Sequence, residues 1–254
     1  MNLELTWDLL LVCGLTMERK ILKREDIDRK CEEVIQYFDP SWLNLTVSPL
    51  SAVVNAIQRE FKVPIHFNQD LGCTKDGRKI LGSFTFKSRE ICIDPALVPD
   101  HPRFRWTLAH EVGHLILHRN IEPFKISRTR PQVVDTRKQL RLGGASPKSE
   151  LEWIEWQANQ FASSLLLPRP ILMRSVIEEQ QACDITTRPG TIFVDEQPEN
   201  IHNFYRIIRA VSGRLTVSRT VLLIRLKNLG ILVDQRAVAK SNIANVIRSL
   251  FTTE

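Results

Sequence analysis

His110 and His114 stand four residues apart, with Glu111 directly after the first. On an α-helix, residues i and i+4 lie on one face, so two imidazoles at this spacing can share one tetrahedral ion. The glutamate between them is placed to take the proton of a water that the ion makes acidic. That combination performs metal-assisted hydrolysis of an amide. The flanking residues Thr107, Leu108, Ala109, Val112, Gly113, Leu115 and Ile116 carry no charge. A helix of this kind buries Leu108, Val112 and Leu115 against strands and keeps its histidines on the metal side. His118 continues the spacing, but eight residues of helix rise by roughly 12 Å, too far for one ion to bridge from His110. His118 is therefore read as a surface residue or as one that stands behind a ligand.

A catalytic zinc takes three protein ligands and keeps a position open. The segment Ser149 to Ala162 is the best source of the third. Glu155, Ala158, Asn159 and Ala162 share one helical face, and the small alanines allow a close approach to the first helix. Glu155 can ligate, and Asn159, one turn on, can hydrogen-bond a ligand imidazole and fix its orientation. Glu152 lies on a similar face and is the rival ligand. Zinc is the expected ion and manganese the alternative. Tyr205 and His202 are candidates for stabilising an oxyanion. Gly82, Ser83 and Phe84 form a candidate sheet edge for an extended substrate, where the glycine permits close approach of another backbone.

The elements that must position these residues follow from pattern. Helices are expected at Asp26 to Tyr37 and Leu50 to Phe61, then strands at residues 65–67, 81–86 and 90–94. A long helix should start at Pro102 or Arg103 and run to about Asn120. A second should run from Pro147 to Leu166 and end before Pro168 and Pro170. Residues 183–200 read as a loop. The remainder reads as helices around a turn at Gly213 to Val217, with a short strand at Ile231 to Val233. This is an α+β protein in three parts: a helical extension over 1–49, a hydrolase core over 50–168, and a helical, helix-turn-helix-like region over 169–254. In the core, a small sheet packs on the histidine helix and on a second ligand helix.

The run Leu9 to Cys13 is too short to cross a bilayer, and Glu4 and Asp8 stand where a leader would be basic, so it is read as a core segment. No membrane span is expected. The five cysteines are an odd number without Cys-x-x-Cys spacing, which points to reduced thiols and a cytoplasmic protein. Residues 201–254 hold nine Lys/Arg against Asp234 and Glu254, a net +7, whereas the first 200 residues sum to −1. The asymmetry points to an acidic partner, with Arg214, Arg219 and Arg225 as candidate contacts to DNA phosphates.

The segment Arg103 to His118, which contains Leu108-Ala109-His110-Glu111-Val112-Gly113-His114-Leu115, resembles the signature helix of the ImmA/IrrE metallo-endopeptidases. Glu155-Trp156-Gln157-Ala158-Asn159-Gln160-Phe161-Ala162, followed by Leu165-Leu166-Leu167-Pro168, is similar to the family's second block, Glu-x-x-Ala-Asn-x-Phe-Ala and then Leu-Leu-x-Pro. Val217-Ser218 with Arg225-Leu226 and Leu229-Gly230 is similar to its third. The resemblance covers roughly residues 50 to 235. It implies a zincin-like fold with His110, His114 and Glu155 as ligands and Glu111 as base. It also implies a protein substrate, a helix-turn-helix repressor whose cleavage switches genes of a mobile element or a stress response. The first 45 or so residues have no counterpart in that pattern, and the stretch 183–200 resembles an insertion. The alternative is a regulator without catalysis that binds DNA or a partner protein and keeps its metal for structure, such as half of a toxin–antitoxin-like module.

Overall fold

The computed structural model describes residues 22–74, 76–86, 88–118, 147 and 149–236. The apolar run Leu9 to Cys13 and the chain beyond residue 236 lie outside the described residues. The chain divides into two compact units. The first comprises Met1–Ile171 with Leu215–Ser218, and the second Leu172–Arg214 with Arg219–Glu254.

The first unit opens with helix α1 (Arg24–Phe38), a short 3₁₀ turn (Pro40–Asn44) and α2 (Leu50–Phe61). Helix α2 buries Val53, Val54, Ile57 and Phe61, the positions set by its apolar period, and stops at Lys62 in the left-handed conformation. Strands β1 (Ile65–His66), β2 (Gly82–Thr85) and β3 (Glu90–Ile93) form a sheet in the order β1-β3-β2. β1 runs parallel to β3, and β2 runs antiparallel to it, with Gly82 opposite Ile93 and Phe84 opposite Ile91.

Helix α3 (Pro102–His118) starts on a proline, whose missing N–H is not needed in a first turn. Every residue from Trp106 to Ile116 is buried, because the sheet covers one side and α4 (Glu150–Leu166) the other. Ser149 caps α4 by accepting a hydrogen bond from Glu152 N at 3.2 Å. The two helices touch at Gly113, where a Cβ would meet the Ala158 carbonyl oxygen at 3.0 Å and Phe161 Cβ at 3.3 Å. The small residues on α4 thus do what their spacing suggested. α1 lies along the same helix. Arg24 Nε donates to Gln160 Oε1 at 3.2 Å, and the Ser164 hydroxyl donates to the Asp28 carboxylate. The described residues before 50 therefore brace the ligand helix and belong to the first unit.

The second unit holds most of α5 (Arg169–Gln181), then β4 (Ile192–Val194), α6 (Pro198–Arg214), α7 (Arg219–Asn228) and β5 (Leu232–Asp234). β4 and β5 pair in parallel, from Ile192 opposite Leu232 to Val194 opposite Asp234. The stretch 183–200, expected as a loop, contains β4 and the start of α6. Gln180 fixes the approach to that strand. Its Oε1 accepts from Gly190 N at 2.7 Å, and its Nε2 donates to Thr191 O at 2.9 Å. Among the described residues, no helix is long and apolar enough to cross a membrane.

Candidate metal centre

His110 and His114 follow one another along the buried face of α3, and their Nε2 atoms face each other 3.0 Å apart. Glu155 enters from α4. Its Oε2 lies 3.3 Å from His110 Nε2 and its Oε1 3.6 Å from His114 Nε2. One ligand atom from each of the three lies within 4.8 Å of the others, and all three side chains are buried. Two imidazole nitrogens this close cannot both point lone pairs at one spot without a cation or a shared proton between them. Glu155 Oε2 and Glu111 Oε1 are buried and have no hydrogen-bond partner, a costly state for carboxylate oxygens. A divalent ion bound by two nitrogens and a carboxylate relieves both problems, so the donor set fits a metal such as zinc. The rival Glu152 is exposed in the first turn of α4 and lies outside this cluster.

The ligand rings are held from behind. His110 Nδ1 donates to Asn159 Oδ1 at 2.9 Å, which leaves Nε2 as the lone-pair nitrogen. His114 Nδ1 lies 3.1 Å from His118 Nδ1, and His118 Nε2 lies 3.1 Å from Gln157 Oε1. His118 is only 2% exposed, so the surface reading of it is corrected and the reading behind a ligand stands. Neither Gln157 nor its contact with His118 was marked by the sequence pattern.

Burial dominates the electrostatics of the metal-free site. It pushes the Glu111 carboxyl up to about 8, with the Glu155 charge adding to the effect and His110 opposing it. It holds His118 down at about 4 against the hydrogen bond to Gln157. His114 lies well below its ordinary range, through burial and then through repulsion from His110 and His118. His110 also suffers from burial, but the neighbouring Glu155 carboxylate outweighs it and raises its pKa.

The other expected site residues are distributed as follows. Gly82 begins β2, which forms an edge of the sheet. A Cβ there would meet Thr107 Cγ2 at 2.5 Å and Glu111 Oε1 at 2.9 Å. The glycine is thus required by the approach of α3 itself, a reason different from the one expected. Ser83 is half-buried, and the Phe84 side chain is turned into the core at 2% exposure. His202 and Tyr205 belong to the second unit, both exposed on α6. Of the three arginines assigned to DNA, Arg219 is exposed. Arg214 is paired with Glu178 and Glu179. Arg225 is corrected: it is 1% exposed in the core of the second unit, so its guanidinium cannot reach a phosphate.

Residues 60–227 match the family model described as the IrrE N-terminal-like domain, Peptidase_M78. No curated protein matches the chain.

Proposed function

The chain belongs to the peptidase family defined by the IrrE N-terminal-like domain, and on that premise we propose that it is a zinc-dependent endopeptidase that cuts a regulatory protein. The observation that carries the reading is the convergence of His110, His114 and Glu155 on one point beside Glu111. A metal held only for structure would need no base next to it and would close its fourth position with a protein ligand.

His110, His114 and Glu155 would hold the ion, with Asn159 orienting the first ring. The bound ion would supply Lewis-acid polarisation of a carbonyl and lower the pKa of water. Glu111 accepts the proton of the attacking water and delivers it to the leaving amine nitrogen. Its burial keeps the transferred proton away from bulk water. A substrate strand would add to the edge of β2 that is unpaired among the described residues, where the main-chain groups of Gly82 and Phe84 face away from β3.

The substrate class rests on the three sequence blocks shared with the ImmA/IrrE peptidases, which point to a helix-turn-helix repressor. DNA is the weaker partner, because Arg225 is buried and Arg214 is already paired. The reduced cysteines Cys31, Cys73, Cys92 and Cys183 suit a reducing cytoplasm. The test is Glu111→Gln, incubated with candidate repressors beside the wild type. Metal content should persist while the defined cut slows by about 10²–10⁴-fold. Undiminished cleavage would remove Glu111 as the base.

A further inference from the structure

Gln157 and His118 form a chain that ends on a metal ligand, and its hydrogen-bond logic allows only one setting in which that ligand works. The contacts run from Gln157 Oε1 to His118 Nε2 at 3.1 Å, and from His118 Nδ1 to His114 Nδ1 at 3.1 Å. All three side chains are buried, His118 at 2% and His114 at 1% exposure. A neutral imidazole has one N–H and one lone pair, so each link fixes the next. With the Gln157 carbonyl toward His118, Nε2 of His118 donates and its Nδ1 accepts. His114 then donates from Nδ1 and carries its lone pair on Nε2, facing Glu155 and His110. With the Gln157 amide reversed, every link inverts. His114 would then bear its proton on Nε2 and could not ligate.

We infer that Gln157 and His118 are positioning residues that select the tautomer of His114 and thereby set the affinity of the site for its metal. This rests on the metal-centre reading above. Asn159 does the same for His110 directly, so α4 supplies one ligand, Glu155, and the orienting group for each histidine. The arrangement differs from a single outer partner because a second imidazole is interposed. It explains why a third histidine lies on α3 beyond reach of the ion.

The experiment uses full-length protein with Gln157→Leu and Gln157→Glu. Leucine matches the volume and suits a buried site, so a packing role alone would leave metal binding unchanged. Chelator competition should show zinc affinity lowered by about 10–100-fold in Gln157→Leu, with the melting temperature of the metal-free protein not reduced. Gln157→Glu keeps an acceptor at the end of the chain and should bind zinc within a few-fold of wild type. ¹⁵N imidazole shifts in the metal-free wild type should show Nδ1–H on His114 and Nε2–H on His118. Unchanged zinc affinity in Gln157→Leu, or a proton on Nε2 of His114, overturns the inference. A wild type that binds no zinc would sink the metal-centre reading, and the tautomers in the metal-free protein would still decide this one.

Discussion

Helices α3 and α4 bury histidines, glutamates and a glutamine where they meet, whereas α6 and α7 bury aliphatic side chains and turn most of their charges outward. Between α3 and α4 lie His110, Glu111, His114, His118, Glu155 and Gln157, none more than 8% exposed. Helices α6 and α7 bury Phe204, Ile207, Ile208 and Val211, and Val221, Leu222 and Leu226, with Arg225 as a buried charge, while Arg209, Arg219 and Lys227 stay exposed. Each buried polar group costs about 1–3 kcal/mol when it lacks a partner. A helix pair selected for stability alone would bury chiefly apolar side chains, as α6 and α7 do apart from Arg225. The first pair instead accepts two unpartnered carboxylate oxygens at one point, and surrounds them with hydrogen-bonded rings and a glycine–alanine contact that closes the helices. That contrast marks α3–α4 as the place where stability has been traded for chemistry.

The comparison breaks most visibly if the ligand set is wrong. Glu155→Ala removes one of three donors and should weaken zinc binding by more than the ~10–100-fold lost with an outer partner. Glu152→Ala, on the exposed side of α4, should leave metal stoichiometry at the wild-type value. The reverse ranking in elemental analysis of the two purified variants would move the centre to the other acid.

Next in size is a stability effect in the metal-free protein. Glu111 has its carboxyl pushed up to about 8 from an ordinary 4.5. The folded state therefore holds a proton that the unfolded chain has released, and stability falls as pH rises from 4.5 to 8. Glu111→Gln removes that titration. In EDTA it should exceed the wild type by about 3 kcal/mol at pH 7 and match it near pH 4. His118 acts in the opposite direction. With a folded pKa of about 4 against 6.5, it costs stability as pH falls from 6.5 towards 4, so both proteins should weaken in acid. Urea melts across pH check the crossing, and curves that stay parallel would show that Glu111 is not buried as described.

The first pair was the more legible from sequence. His110 and His114 stand at four-residue spacing, and the small residues of α4 predict close packing, but spacing left Glu152 as a rival that only the geometry separates from Glu155. The second unit was less legible because its determinants are distant or ambiguous. Pro168 and Pro170 read as the end of α4, yet Pro170 also suits the first turn of α5, which pattern did not single out. β4 is three residues long, and its partner β5 lies forty positions along the chain, Ile192 opposite Leu232, so no local signal marks it. Arg225 did carry a signal that charge obscured. It sits three residues after Leu222 and one before Leu226, on the face those leucines bury. Gln157 is a common helix former whose role depends wholly on which ring packs over it.

The smallest effects come from one substitution made in both pairs. Alanine stabilises a helix interior relative to glycine by about 0.5–1 kcal/mol, through the lower entropy of the unfolded chain. Gly213, near the end of α6, has nothing within 4 Å of the position a Cβ would occupy, so Gly213→Ala should gain that amount. At Gly113 the same methyl would meet the Ala158 carbonyl oxygen at 3.0 Å and Ala158 Cα at 3.2 Å. Backbone atoms cannot rotate away, and overpacking of a tight core costs typically 1–3 kcal/mol. The cost outweighs the gain, so Gly113→Ala should lose about 1 kcal/mol by chemical denaturation and weaken zinc binding, because the helices that carry the ligands must part. Equal gains at both positions would mean that α3 and α4 are no more tightly constrained than α6 and α7, and the contrast between a chemical interface and a purely structural one would lose its packing basis.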